Sequence, residues 1–118
     1  IIDKRRQNAQ SYLEYIETNE VFIPLEKEYE FNTYHTFVIQ LKKRNELKEF
    51  LLKQGIEAAI HYPTPIHLQP AAKRLGYKLG DFPITEKQAG MILTLPVNQS
   101  LGQSEIERIC VAINEFYS

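Results

Sequence analysis

The stretch at residues 104–117 narrows the possible architectures most. Ile106, Ile109, Cys110, Ile113 and Phe116 recur at the 3.6-residue spacing that sets them on one face of an α-helix. Ser104 and Glu107 read as a capping box that starts this helix. A helix with one apolar face must bury it against another layer. Three short runs can supply that layer. Residues 34–41 are rich in β-branched and aromatic side chains and read as a central strand, residues 56–60 as a second, and Leu93-Thr94-Leu95, closed by Pro96, as a third. Lone Cys110 sits on the helical stripe and reads as a small core residue, not a nucleophile.

The remaining segments alternate with these strands. Ala9, Tyr12, Leu13 and Ile16 give residues 3–17 one apolar helical face, with Asn19 as the left-handed stop. Residues 21–23 are extended up to Pro24, and residues 26–32 form an exposed acidic loop. Asn45 caps a helix whose buried stripe is Leu47, Phe50 and Leu51, and Gly55 ends it. Residues 68–75 form a short helix stopped by Gly76. Thr85 starts another, with Gln88 placed for a capping box. Lys42-Lys43-Arg44 is a solvated turn, and His35 a core or interface histidine on the first strand. The pattern predicts one α+β domain over residues 1–118, a two-layer sandwich in which a small, three-stranded, mainly antiparallel sheet is covered by helices.

Composition excludes several classes. A net charge of −1 gives no electrostatic reason to expect nucleic acid or an anionic membrane as partner. No apolar run approaches the ~20 residues that span a bilayer. With 43% hydrophobic and 25% charged residues, the chain has the balance of a globular protein. A single cysteine fits a reducing cytoplasm. Ile1 opens the chain inside a predicted helix without a methionine, which reads as the start of a piece cut from a longer protein.

The polar chemistry concentrates in Ile60-His61-Tyr62-Pro63-Thr64-Pro65-Ile66-His67-Leu68. Pro63 and Pro65 fix their own φ and push the residues before them into extended backbone, so the loop is ordered. His61 can donate or accept near neutral pH, and the Tyr62 hydroxyl can bind a phosphate, a sugar hydroxyl or a cofactor edge. Alternatively Tyr62 packs on the sheet while His61 bonds a backbone carbonyl, the reading that local sequence alone favours. His67 lacks a third ligand at recognisable spacing, so no metal is expected. Asp81, in Gly80-Asp81-Phe82-Pro83, reads as the side chain of an Asx-type turn. No phosphate loop, nucleophile elbow or paired-carboxylate spacing is present. The residues thus give a preorganised polar loop without a complete active site.

Several segments occur together in one order. These are Tyr34-His35-Thr36-Phe37-Val38-Ile39, Gly55-Ile56, Ile60-His61-Tyr62-Pro63-x-Pro65-x-His67-Leu68-Gln69, Leu75-Gly76-Tyr77, Gly80-Asp81-Phe82-Pro83-x-Thr85-Glu86 and Leu93-x-Leu95-Pro96. The chain so resembles the C-terminal small domain of the DegT/DnrJ/StrS family of sugar-nucleotide aminotransferases. The resemblance implies a fold-type I parent enzyme that uses pyridoxal phosphate to move an amino group, usually from glutamate, onto a nucleotide-linked keto sugar. It implies that His61 and Tyr62 face the sugar nucleotide, that His67 lines the same cleft, and that the parent is a cytoplasmic homodimer. The His-Tyr-Pro-x-Pro-x-His version is most similar to enzymes that aminate a 3-keto sugar. The family's cofactor-holding lysine, the Asp for the pyridine nitrogen and the phosphate cup have no counterpart here. This chain alone is therefore expected to bind no cofactor and to be inactive. Two other roles stay open: a stand-alone binding module, and a domain of a sugar dehydratase in which histidine replaces that lysine.

Overall fold

The computed structural model describes residues 1–118. Helix α1 (Ile2–Tyr15) is followed by strand β1 (Phe37–Gln40) and helix α2 (Arg44–Lys53). Two 3₁₀ turns, Ile66–Leu68 and Pro70–Leu75, come next, then helix α3 (Pro83–Ala89), strand β2 (Ile92–Leu95) and helix α4 (Gln103–Phe116). β1 and β2 pair antiparallel, with Phe37 opposite Leu95, Val38 opposite Thr94 and Ile39 opposite Leu93. Phe37, Ile39, Leu93 and Leu95 join Tyr12 of α1, Leu47 and Leu51 of α2, and Ile106 and Ile113 of α4 in one buried cluster. Cys110 is in that cluster, and burial pushes its thiol up to about 12. No helix is long and apolar enough to cross a membrane.

The α+β class with an antiparallel sheet stands, but the sheet has two strands, not three. Residues 56–60 touch it through one bridge, Ala59 to Thr94, and residues 21–23 through another, Phe22 to Gln40. The local chemistry explains both. The Ile56 N–H closes the end of α2 by donating to the Leu51 carbonyl at 2.9 Å, and from His61 onward the chain turns away into the proline loop. On the other side Pro24 has no N–H with which to extend the pairing.

Further expectations shift by a few residues. β1 starts at Phe37 because Tyr34 adopts φ 52°, a left-handed conformation that no strand residue has. His35 accordingly lies outside the strand and is exposed; its carbonyl accepts a hydrogen bond from Arg5 Nη1 at 2.9 Å. α1 stops at Tyr15 with Ile16 extended, so Asn19 is not its cap. Pro70 opens a new 3₁₀ turn after extended Gln69, which divides the expected helix over residues 68–75; left-handed Gly76 does end it. Pro83 takes the first position of α3 and leaves Thr85 inside the helix. In α4 it is Glu105, not Glu107, that accepts the N–H of the capping residue, Gly102, at 3.4 Å.

One arginine contradicts the reading of its segment, and another holds a loop in place. Arg44 is 7% exposed rather than solvated. Its Nη1 donates to the carbonyls of Ala89 at 3.0 Å and Ile92 at 2.9 Å, and its Nε to Asn45 Oδ1 at 2.7 Å. Asn45 is thus occupied inside α2, and Lys43 stands at the cap position. One buried guanidinium ties the start of α2 to the end of α3 and the start of β2. Arg6 grips the acidic loop, donating to both carboxylate oxygens of Glu26 at 2.8 and 2.9 Å and to the Asn32 carbonyl at 2.7 Å. Hydrogen bonding from Arg6, aided by the Asn32 N–H, holds the Glu26 carboxyl down at about 2.

Two outcomes follow from this packing. Leu47→Ala or Ile109→Ala empties a core position and is expected to lower stability by ~2–5 kcal/mol in denaturant unfolding; a loss below ~1 kcal/mol for both would place the core elsewhere. Because the Glu26 carboxyl is depressed, its contribution is complete above the ordinary value of 4.5 and disappears as pH falls to about 2. Acid titrations of wild type and Glu26→Gln should therefore differ near neutrality and converge at the acid end, and parallel curves throughout would count against the Arg6–Glu26 clasp.

Candidate functional site

The period-2 geometry of β2 organises the polar loop. Leu93 and Leu95 are buried in the core, so Thr94 between them faces the opposite side of the sheet. Ala59 sits opposite Thr94, and His61, two residues on, returns to the Thr94 side. There His61 Nδ1 and Thr94 Oγ1 are 3.0 Å apart in a hydrogen bond, while Nε2 has no partner within the chain. The His61–Tyr62 peptide bond is cis. The Tyr62 ring stands edge-on to the imidazole, with centroids 5.3 Å apart, and the residue is 67% exposed, without packing on the sheet. A free imidazole nitrogen and a free phenol are thus presented side by side to solvent. A cavity of about 490 Å³, lined by Thr94, Ala59, Leu95, Asn98, Glu105 and Arg108, opens beside the same strand.

The downstream end of the loop is held differently. Pro65 precedes the first 3₁₀ turn, its carbonyl accepting from the Leu68 N–H at 2.9 Å, and Gln69 Nε2 donates back to the Thr64 carbonyl at 3.2 Å. Pro63 lies between Tyr62 and these contacts. His67 is 8% exposed, so its side chain is buried beneath the proline loop and not presented on the loop's surface. Its Nε2 is 2.9 Å from Glu86 Oε2, and its ring meets Phe82 at 4.8 Å and Tyr77 at 6.5 Å, both edge-on. Glu86 also accepts the Gly80 N–H at 2.9 and 3.0 Å and the Phe82 N–H at 3.1 Å. The Gly80 N–H first, then His67 and Phe82, hold its carboxyl below the usual range against the opposing effect of burial. Gly80 has φ +98°, which a side chain would strain. Asp81 Oδ2 accepts from the Lys78 N–H at 2.8 Å, closing the turn before Phe82.

His61 and Tyr62 are therefore neighbours on one exposed edge, whereas His67 belongs to a separate buried cluster. No three His, Cys, Asp or Glu side chains gather into a group that could hold a metal ion. All nine lysines are exposed or half-buried. Thr94 and Glu86 are the residues the sequence reading passed over. Each left a trace: one hydroxyl inside the apolar run Leu93-Thr94-Leu95, and one carboxylate in the first turn after Phe82-Pro83.

Comparison with known proteins gives this arrangement a context. A profile of the DegT/DnrJ/EryC1/StrS aminotransferase family matches residues 1–114. A pleiotropic regulatory protein of Geobacillus stearothermophilus is 36% identical over 98% of this chain and 32% of its own length. The dTDP-3-amino-3,6-dideoxy-alpha-D-galactopyranose transaminase of Aneurinibacillus thermoaerophilus is 31% identical over 96% of this chain and 31% of its own. Among solved structures, S. venezuelae DesV in complex with a ketimine intermediate superimposes with a TM-score of 0.92 at 28% identity, covering 98% of this chain and 31% of that one. The chain thus spans about a third of the length of the curated relatives it matches.

Thr94→Val keeps the shape of the strand residue but removes the hydroxyl, so His61 should lose its anchor while the fold persists. Nitrogen-detected NMR of the imidazole is expected to show changed His61 ring resonances in Thr94→Val and near-wild-type ones in Thr94→Ser. An identical His61 spectrum in the valine variant would mean that the contact does not hold the ring.

Proposed function

Because the chain belongs to the DegT/DnrJ/EryC1/StrS aminotransferase family, we propose that it is the C-terminal small domain of a pyridoxal-phosphate-dependent enzyme that aminates a nucleotide-linked keto sugar. The observation that carries this reading is the exposed pair on the proline-braced edge, His61 with Nε2 free and Tyr62 67% exposed. Both groups suit a ligand rich in hydroxyls and phosphate oxygens. An imidazole N–H donates to an oxygen, and a phenol both donates and accepts. Thr94 fixes the ring by the opposite nitrogen, which sets the direction of the free one.

In this reading the rest of the polypeptide, by the length of its relatives about two-thirds of the whole, carries the cofactor and its lysine. The cofactor supplies the electron sink for amino transfer. The residues of this chain bind and orient the sugar nucleotide against it, and they add no proton-transfer step of their own. The amino donor is glutamate, the acceptor a 3-keto sugar on a nucleoside diphosphate, and the parent a cytoplasmic homodimer.

The complete polypeptide that carries this chain, supplied with pyridoxal phosphate, glutamate and a thymidine-diphosphate-linked 3-keto sugar, is expected to yield the amino sugar nucleotide and 2-oxoglutarate by mass spectrometry. A dehydrated sugar without incorporated nitrogen would instead assign the parent to the dehydratases, and no turnover with any keto sugar nucleotide would remove the reading. His61→Ala or Tyr62→Phe is expected to raise KM for the sugar nucleotide by ~1.5–3 kcal/mol equivalent, with cofactor loading unchanged. Unaltered kinetics in both variants would return the loop to a structural role.

A further inference from the structure

Glu86, in the first turns of α3, takes hydrogen bonds from three donors, as many as Glu26 does, and they tie the proline loop and the Gly80 turn to that helix. Its oxygens take the Gly80 N–H at 2.9 and 3.0 Å, the Phe82 N–H at 3.1 Å and His67 Nε2 at 2.9 Å. A carboxylate offers about four acceptor positions, so little capacity remains for a ligand. His67 gives one ring nitrogen to Glu86, packs its ring against Phe82 and Tyr77, and at 8% exposure presents little surface to a ligand.

Apart from the edge-on ring contacts among His67, Tyr77 and Phe82, what this carboxylate joins has little else to hold it. No residue from 68 to 88 is buried, and Ile66, Leu75, Leu79 and Ile84 are each more than 60% exposed. Hydrophobic burial, the usual fastener, is nearly absent over these residues. The proline loop is therefore clipped by two imidazoles, His61 to Thr94 upstream and His67 to Glu86 downstream, with Tyr62 between them.

We propose that His67 and Glu86 are a positioning pair, not ligand contacts: they lock the Gly80 turn to the proline loop and so set where Tyr62 and the free nitrogen of His61 stand. The proposal rests on the functional reading above for the identity of what those two groups meet. It assigns Glu86 a role in substrate placement and moves His67 from the cleft surface to its support.

The test uses Glu86→Ala, His67→Ala and the double variant. In this chain, amide exchange at Gly80 and Phe82 should accelerate about tenfold or more in Glu86→Ala, while Leu93 and Ile106 keep their protection. In the complete polypeptide, kcat/KM for the keto sugar nucleotide should fall about tenfold in either single variant, carried by KM, and the double variant should be no worse than the singles. Unchanged exchange at Gly80 and Phe82 overturns the proposal, as does loosened exchange with an unchanged KM. A double variant whose losses simply add also overturns it. Loss of Leu93 and Ile106 protection would make Glu86 a determinant of global stability and would equally defeat it. If the wild-type polypeptide makes no amino sugar, the functional reading falls and takes the ligand half of this proposal with it. An active wild type with unaffected variants defeats the positioning pair alone.

Discussion

Leu93 and Leu95 enter the core, and the pleat of a strand then leaves Thr94 no choice but the other face. That single constraint connects the hydrophobic interior to the polar edge. The same strand that closes the core against α1, α2 and α4 presents the hydroxyl that fixes His61, and its backbone accepts the Ala59 bridge that delivers His61 to it. Without burial of the two leucines the register of β2 would be free to slip, and a one-residue slip would turn Thr94 inward.

Polar side chains do the fastening where apolar contacts are scarce. Arg44 binds the carbonyls of Ala89 and Ile92, so α2, α3 and β2 meet at one guanidinium. Arg6 clasps Glu26 and Asn32, and the Phe31 ring covers its guanidinium at 4.1 Å. Glu86 gathers three segments around one carboxylate. Charge-assisted hydrogen bonds are stronger than neutral ones and directional, which suits them to holding loops in a set geometry beside a small core.

Much of this was legible in the residues and some was not. The stripe Ile106, Ile109, Cys110 and Ile113 is buried in α4, as its 3.6 period requires. Leu47 and Leu51 are buried in α2, and Gly55 and Gly76 adopt the left-handed conformation after the turns they end. Capping was misread at Asn19, Asn45, Thr85 and Ser104, because a cap is decided by where the helix axis starts, and Pro83 or a competing side-chain bond such as Arg44 to Asn45 moves that point. The third strand was overcounted because β-propensity at residues 56–60 says nothing of the tie from Ile56 to Leu51 that occupies its first N–H.

The amino-acid order by itself determined the helical faces, the stiff proline loop and the family pattern, since each rests on local spacing or on the fixed geometry of proline and glycine. Only the tertiary structure decided that His61 meets a hydroxyl rather than a backbone carbonyl, that Tyr62 stays in solvent, and that His67 is buried beside Glu86. Those outcomes join residues 33 and 19 positions apart. Contacts of that kind arise only when packing brings distant segments together, and no local propensity encodes them.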